Sequence, residues 1–245
     1  MDNSAPQAPP LRGSAVFLDV DGTLLDLAAT PDAVIVPPHL RDLLLRLAER
    51  AKGALALITG RSLADVDRLI GPGLAVAAEH GAVLRDAEGH VFESIPHAAS
   101  LGAIRDPLRA AVAQHPGSLL EEKRFGLVLH WRGAPKAAGS LTERAITLTA
   151  PYAELMLQPA HAALEIRQRG PGKAAALDRF MRSAPFTGRR PLFIGDDLTD
   201  EPAIARATAR GGRGLHVGRD FAGRPAAVLA WLEAALAGEG ESENG

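Results

Sequence analysis

Two aspartates separated by one residue follow a short apolar stretch near the start of the sequence, in Asp19-Val20-Asp21-Gly22-Thr23. Side chains two residues apart on an extended backbone point to the same side, so both carboxylates can face one ligand. One carboxylate can attack phosphorus to form an acyl phosphate, and a second, protonated carboxyl can give a proton to the leaving oxygen. The alternative interpretation is a tight turn in which both carboxylates only cap backbone amides.

A second polar stretch, Thr59-Gly60-Arg61-Ser62, follows the next apolar run. A hydroxyl and backbone amides that precede a helix form an anion site. Ser62 followed by Asp65 also resembles a capping box, with Asp in the place of Glu. Anion binding and helix capping are compatible, so both interpretations stand.

A lysine opens a predicted helix in Gly170-Pro171-Gly172-Lys173. Its ammonium could neutralise Asp19 and a phosphate oxygen together. A nucleotide-binding P-loop is excluded, because Arg167 stands where that motif requires its first glycine and Ala174 stands where it requires Ser or Thr.

An acidic turn, Gly195-Asp196-Asp197-Leu198-Thr199-Asp200-Glu201, follows another apolar run. Carboxylates packed into one turn repel each other unless a cation lies among them, and hard oxygen ligands with a phosphate nearby favour Mg²⁺. The ligand spacing of an EF-hand is missing. The alternative is a solvated acidic turn that caps the next helix.

Apolar runs alternate with helical patterns on both sides of the chain's middle, which predicts a mostly parallel α/β sheet with helices on both faces. The predicted strands are Ala15–Leu18, Ala54–Ile58, Leu74–Ala78, Pro191–Ile194 and Leu215–Val217. The predicted helices are Pro38–Lys52, Leu63–Ile70 and Gly172–Arg182. Reactive groups gather outside the carboxyl ends of such strands, where the four polar stretches lie.

The middle of the chain has a different rhythm of helix, two strands, helix and two strands, which is an α+β pattern. These elements are predicted at Ser100–Gln114, Ser118–Lys123, Gly126–Trp131, Pro135–Thr149, Ala153–Gln158 and Ala163–Arg167. We therefore predict a separate domain at residues 98–168, inserted into a core of residues 14–97 and 169–238. Residues 1–13 and 239–245 are predicted to be a disordered leader and tail.

The composition limits the binding partners and the cellular compartments that we expect. The 245 residues carry a net charge of −2 and contain no cysteine. We expect no nucleic-acid partner, because a basic surplus is missing. Disulfides and thiolate metal sites are excluded, and neither a signal peptide nor a membrane span is recognisable. We expect a cytoplasmic protein and a monomer.

The four polar stretches, in this order, resemble the motifs of the haloacid dehalogenase superfamily of phosphatases, with its Rossmann-like core. The domain inserted at residues 98–168 resembles the α+β cap domain of that superfamily's sugar-phosphatase branch. The resemblance implies that Asp19 is the nucleophile and Asp21 the general acid and base. It implies that Thr59 and Lys173 contact the phosphate and balance the charge on Asp19. Arg61 is implied as a phosphate-binding or site-closing residue.

The same resemblance implies a magnesium site. Its ligands would be Asp19, the main-chain carbonyl of Asp21, and Asp196. Asp197 and Asp200 are expected to support the site rather than to bind the metal.

Within the superfamily, the chain resembles bacterial trehalose-6-phosphate phosphatases along nearly its whole length, most distinctively in Glu121-Glu122-Lys123. The resemblance implies that Glu121, Lys123 and Glu165 bind sugar hydroxyls of trehalose 6-phosphate. The alternatives are an exposed strand rim for these residues, another sugar phosphate such as sucrose 6-phosphate or mannosyl-3-phosphoglycerate, or a non-catalytic sugar-phosphate sensor. We expect His130, on an apolar strand, to be a packing residue.

Overall fold

The computed structural model describes residues 6, 11–28, 33–94, 98–160 and 162–238. They divide into two compact units, of which the first comprises Met1–Ser94 with Pro171–Gly245 and the second Ile95–Gly170. The predicted tail and most of the predicted leader lie outside the described residues. Within that leader, Leu11 is buried and its carbonyl accepts a hydrogen bond from the Ser14 amide at 3.0 Å.

The described residues form eleven strands and eight α-helices. The strands are β1 (Ser14–Leu18), β2 (Leu55–Ile58), β3 (Ala75–Ala78), β4 (Val83–Arg85), β5 (Val91–Glu93), β6 (Leu119–Lys123), β7 (Gly126–His130), β8 (Leu155–Ala160), β9 (Ala163–Gln168), β10 (Arg190–Gly195) and β11 (Arg213–His216). The helices are α1 (Leu40–Arg50), α2 (Leu63–Leu69), α3 (Ala99–Ala113), α4 (Ala138–Thr149), α5 (Gly172–Phe180), α6 (Glu201–Ala209), α7 (Val217–Asp220) and α8 (Pro225–Gly238).

In the first unit, the described strands form one sheet in the order β11-β10-β1-β2-β3-β4-β5. The five strands from β11 to β3 pair in parallel, and β4 and β5 are antiparallel. The central strands β1, β2 and β3 are buried along their whole length, because helices cover the sheet. Because β10, β1 and β2 are neighbours and run parallel, their carboxyl ends lie side by side at one edge of the sheet.

The helices of the first unit follow from the spacing of apolar residues. In α1, the buried residues Leu40, Leu43, Leu44 and Leu47 recur every three or four positions and form one apolar stripe. Helix α1 packs against α8, and α5 packs against α6. In the described part of the chain, no helix combines the length and the apolar character that crossing a bilayer requires.

The second unit has the element order α3, β6, β7, α4, β8, β9. Its strands form an antiparallel sheet in the order β6-β7-β9-β8, and apolar residues on one face of this sheet pack with α3 and α4. Together with the parallel sheet of the first unit, this topology confirms the predicted fold class of an α/β core with an inserted α+β segment.

The structure differs from the predicted elements at both edges of the first sheet. Strands β4 and β5 were not predicted, because each has only three residues and β5 is mostly exposed, so neither produces a readable apolar pattern. Strand β11 ends at His216 rather than at Val217, which begins the short helix α7.

Candidate active site

Asp19, directly after β1, lies in a buried ion-pair cluster with Lys173 and Asp200. The Lys173 ammonium donates a hydrogen bond to Asp19 Oδ1 at 2.7 Å and lies 2.7 Å from Asp200 Oδ1. The side chains of Lys173, Asp19 and Asp200 are 4%, 5% and 0% exposed. One cation thus bridges two carboxylates that water hardly reaches.

Burial dominates the electrostatics of this cluster. It raises the pKa of Asp19 to about 6, against the opposing pull of the Lys173 charge. Burial also raises the pKa of Asp200 to about 7, and the neighbouring charge of Asp19 adds to that rise. For Lys173, burial lowers the pKa, but the two carboxylates outweigh it and the pKa lies above its usual value. The cluster is short of positive charge.

Asp196 joins the same cluster from the turn after β10. Single carboxylate oxygens of Asp19, Asp196 and Asp200 all lie within 4.8 Å of one another. Burial raises the pKa of Asp196, and the charges of Asp200 and Asp197 raise it further. Three oxygen donors and one ammonium leave an excess of negative charge, so the donor set fits a hard divalent cation.

Two glycines make this close approach possible. Gly22 has a φ of +73°, and a Cβ there would lie 2.0 Å from Asp196 Oδ2. A Cβ at Gly195 would lie 2.3 Å from Asp200 Cγ. Any side chain at either position would therefore occupy the space of a carboxylate.

Asp200 and Asp197 also form hydrogen bonds within the acidic turn itself. Asp200 Oδ2 accepts hydrogen bonds from the amides of Asp196 and Asp197, each at 3.2 Å. Asp197 Oδ1 accepts from the Thr199 amide at 2.8 Å and from its hydroxyl at 2.7 Å. Asp197 therefore shapes the turn, whereas Asp200 both shapes the turn and faces Lys173.

Asp21 is paired with Arg61, which follows β2. Arg61 Nε donates to Asp21 Oδ2 at 2.7 Å, and Arg61 Nη2 donates to Asp21 Oδ1 at 2.6 Å. This two-pronged geometry fixes the orientation of the carboxyl group. The Arg61 side chain is 8% exposed and that of Asp21 is 34% exposed, so Asp21 keeps access to solvent.

Thr59 is buried at the end of β2 and its hydroxyl accepts a hydrogen bond from the Arg61 amide at 3.1 Å. The following turn is held by Glu79 and His80, whose amides donate to the carbonyls of Arg61 and Thr59 at 2.9 and 3.0 Å. Both residues have left-handed φ values, 49° and 56°, which are costly for residues other than glycine. Strained backbone therefore supports the loop that carries Thr59.

The start of α2 confirms the capping interpretation of the second stretch. Ser62 accepts a hydrogen bond from the Asp65 amide at 3.1 Å, and its hydroxyl donates to Asp65 Oδ2 at 2.7 Å. This hydrogen bond lowers the pKa of Asp65.

In the second unit, a polar network covers the sheet face opposite α3 and α4. Lys123 donates to Glu165 at 3.0 Å, and His130 Nε2 lies 2.7 Å from Glu121 Oε2. Cross-strand pairing places Glu121 and Glu165 each opposite Val128, so the two glutamates flank β7. The structure thus places on one face the three residues to which the resemblance assigned sugar binding.

Three further residues share this face. His130 is 37% exposed and contacts Glu121, so it is not simply a packing residue of its apolar strand. Gln158 pairs with Glu165 across the strands and accepts a hydrogen bond from Arg167 Nε at 2.9 Å. Two-residue alternation along β7, β8 and β9 could have indicated these positions, had the strand pairing been known.

Comparisons with known proteins identify the family of the chain. A family model described as trehalose-phosphatase matches residues 17–218. The trehalose-6-phosphate phosphatase of Escherichia coli is 39% identical over 229 residues, which cover 89% of this chain and 85% of that protein. The C-terminal domain of C. albicans trehalose-6-phosphate phosphatase has a TM-score of 0.71 at 19% identity, over 97% of this chain and 99% of that one.

A structure of Aspergillus fumigatus trehalose-6-phosphate phosphatase has a TM-score of 0.61 at 23% identity, over 96% of this chain and 100% of that one. These two structures share the fold, and the family match and the Escherichia coli relative extend the likeness to the sequence. The chain therefore belongs to the trehalose-phosphatase family and is a phosphatase.

Proposed function

We propose that this protein hydrolyses trehalose 6-phosphate to trehalose and phosphate, with Mg²⁺ and through an aspartyl-phosphate on Asp19. The observation that carries the proposal is the buried contact of Asp19 with Lys173 beside the carboxylates of Asp196 and Asp200. A buried carboxylate held by one cation is poorly solvated and fixed in orientation, which suits a nucleophile.

The first step transfers the phosphoryl group to Asp19. A bond forms between an Asp19 carboxylate oxygen and phosphorus, and the bond from phosphorus to the sugar oxygen breaks. Asp21, oriented by Arg61, gives its proton to the leaving sugar oxygen.

The second step returns Asp19 to its starting state. Asp21 takes a proton from a water molecule, the water oxygen bonds to phosphorus, and the bond between phosphorus and Asp19 breaks. Lys173 faces Asp19 in both steps, and the Thr59 hydroxyl at the end of β2 is the proposed phosphate partner.

The proposed magnesium ligands are Asp19, the main-chain carbonyl of Asp21, and Asp196, with Asp197 and Asp200 supporting them. A bound Mg²⁺ would neutralise the excess negative charge, so that a phosphate dianion can approach a carboxylate. The three clustered carboxylates and the single ammonium support this assignment.

The polar sheet face of the second unit is the proposed binding surface for the sugar. Glu121, Lys123 and Glu165 offer charged donors and acceptors that hydroxyl groups can join, and a site of this kind discriminates against analogues that lack a hydroxyl. The names of the relatives support trehalose 6-phosphate as the substrate. A cytoplasmic location and a monomeric state remain predictions.

The test is a panel of phosphate esters assayed with Mg²⁺ and with EDTA, containing trehalose 6-phosphate, sucrose 6-phosphate and mannosyl-3-phosphoglycerate. We expect the highest kcat/KM on trehalose 6-phosphate and a loss of activity in EDTA that added Mg²⁺ reverses. Equal or greater kcat/KM on another ester would reject the trehalose assignment.

The covalent step needs a separate measurement. Rapid acid quenching followed by mass spectrometry should find one phosphoryl group on the peptide that contains Asp19, and none in Asp19→Asn. If the label lies on another residue, the proposed mechanism is wrong.

A further inference from the structure

The left-handed turn Glu79–Gly81, between β3 and β4, has a strained backbone. Its three consecutive residues have φ values of 49° at Glu79, 56° at His80 and 88° at Gly81. Glycine adopts such values without steric cost, whereas residues with a side chain do not. Strain of this kind persists only where the surrounding structure holds it, so the contacts of this turn with its neighbours must outweigh the cost.

On one side, the left-handed turn contacts the loop after β2. The Glu79 amide donates a hydrogen bond to the Arg61 carbonyl at 2.9 Å. The His80 amide donates to the Thr59 carbonyl at 3.0 Å. The His80 imidazole lies so close to Gly60 that a Cβ at that glycine would be 2.7 Å from the ring Nε2. Three consecutive residues of the loop therefore meet the left-handed turn.

On its other side, the left-handed turn packs against the start of α5, the helix that carries Lys173. A Cβ at Gly81 would lie 3.4 Å from Ala176 Cβ and 3.5 Å from the Gly172 carbonyl oxygen. Gly172 and Ala176 lie on either side of Lys173 in the sequence. The left-handed turn therefore connects the loop after β2 to the helix start that presents the lysine, although these two segments come from different motifs.

We propose that the left-handed turn positions the candidate active site for the reaction, with His80 as its main positioning residue. The contacts with the loop after β2 fix Thr59 and Arg61, and Arg61 in turn orients Asp21. The packing against α5 fixes the helix start that presents Lys173 to its carboxylates. This role rests on the functions proposed above for these residues in phosphate hydrolysis, and not on the identity of the sugar.

The first test is His80→Gly. Glycine adopts the left-handed conformation freely, so the turn can form, but the imidazole no longer lies against Gly60. We expect kcat to fall about 10- to 100-fold with little change in KM, because a misplacement of catalytic groups by about 1 Å can cost about 100-fold in rate. The substrate is the ester that the unmodified protein hydrolyses fastest with Mg²⁺, so an error in the trehalose assignment would not affect the result.

Lys52→Gly is the matched control. Lys52 is another residue with a side chain and a left-handed φ, 51°, and it is exposed before β2, at the opposite end of this strand from Thr59. The variant relieves a similar steric cost outside the candidate active site and should leave kcat unchanged. A kcat of His80→Gly equal to that of the unmodified protein, or an equal fall in both variants, would overturn the proposal.

A double variant tests the contact between His80 and Gly60 itself. In Gly60→Ala, the new Cβ would lie 2.7 and 2.8 Å from two atoms of the imidazole, so the ring must move and kcat should fall. In Gly60→Ala/His80→Gly the ring is gone, so the alanine should add almost nothing to the effect of His80→Gly alone. If the two effects multiply instead, the residues act separately and the proposal is wrong.

A readout without substrate separates this role from the proposed hydrolysis. In the ¹⁵N-labelled protein with Mg²⁺, His80→Gly should shift the backbone amides of Thr59, Arg61 and Lys173 more than Lys52→Gly does. Equal shifts in the two variants would overturn the proposal. If Asp19 proved not to be the nucleophile while the amide shifts and the fall in kcat remained, the positioning role would stand and the proposed mechanism would not.

If His80→Gly does not fold, His80→Asn replaces it. Asparagine tolerates the left-handed conformation, and its shorter side chain lacks the Nε2 and Cε1 atoms that lie against Gly60. We expect kcat to fall in this variant too, again with little change in KM. A kcat equal to that of the unmodified protein would contradict a positioning role of the ring.

Discussion

Two lysine–carboxylate pairs, one in each unit, have nearly the same geometry in different surroundings. Lys173 lies 2.7 Å from Asp19, and their side chains are 4% and 5% exposed. Lys123 lies 3.0 Å from Glu165, and their side chains are 43% and 22% exposed. The distances alone would rank the two ion pairs as equals.

Their surroundings separate them. Water screens the pair of the second unit, and an exposed ion pair contributes about 0–1 kcal/mol to stability. The pair of the first unit is shielded from water, so removing one partner leaves an uncompensated buried charge. Under the proposed function, burial would suit the first pair to chemistry, and exposure would let the second pair exchange one partner for a hydroxyl group of a ligand.

The strongest test of this difference is the loss of the buried carboxylate. Asp19→Asn should lower kcat by about 10⁴-fold or more, because an amide oxygen cannot replace the attacking carboxylate. Steady-state phosphate release from trehalose 6-phosphate measures the effect, and Asp26→Asn, an exposed aspartate of the same unit, is the control. Turnover retained in Asp19→Asn would remove Asp19 from the mechanism.

Matched lysine variants compare the two pairs directly. Lys173→Met should lower the free energy of unfolding by about 3–5 kcal/mol, since Asp19 and Asp200 then face each other without a cation. Lys123→Met should lower it by less than about 1 kcal/mol. Urea unfolding of both proteins measures the two values. Similar losses in the two variants would mean that burial does not govern these ion pairs.

The polar network of the second unit, which includes Lys123 and Glu165, should affect substrate binding more than the chemical step. Glu165→Gln should raise KM for trehalose 6-phosphate about ten-fold and leave kcat nearly unchanged, because hydroxyl contacts are lost away from the reacting phosphorus. Glu88→Gln, at an exposed position of the first unit, serves as the control. A fall in kcat with an unchanged KM would place Glu165 in the chemical step.

The smallest expected effect concerns Ser62 and Asp65, which cap the start of helix α2. The hydrogen bond from Ser62 lowers the pKa of Asp65, so the ionised carboxylate stabilises the fold above the unfolded pKa of about 3.9. That contribution is lost as the pH falls through the lower, folded-state pKa. Asp65→Asn should therefore cost about 0.5–1 kcal/mol at pH 7 and almost nothing near pH 2.

Thermal unfolding at the two pH values measures the Asp65 effect. Ser62→Ala should remove most of its pH dependence, because it deletes the hydrogen bond that lowers the pKa. A cost of Asp65→Asn that does not change with pH would contradict this account.

Much of the candidate site was predictable because each motif is local. Asp19, Thr59, Lys173 and Asp196 all follow an apolar run or open a helix, and these signals lie within a few residues of each side chain. The order of the motifs then placed them at one edge of the sheet. The α/β core and the α+β insert were predictable for the same reason, because the patterns of strands and helices are also local.

Contacts between distant segments could not be predicted. The pairing of Arg61 with Asp21 joins two strand ends and depends on how β1 and β2 align. The acidic turn did not reveal that Asp200 faces Lys173 while Asp197 binds its own backbone, since a loop has no repeating pattern.

The insertion of the second unit into the first has a consequence for the order of folding. Strands β1 and β10 pair in the first sheet, yet the whole of Ile95–Gly170 lies between them in the chain. On the ribosome, the second unit is complete before β10 is made, and contacts between distant segments form slowly. We therefore expect the second unit to gain protection from hydrogen exchange first during synthesis, and Asp19 to meet Lys173 among the last events.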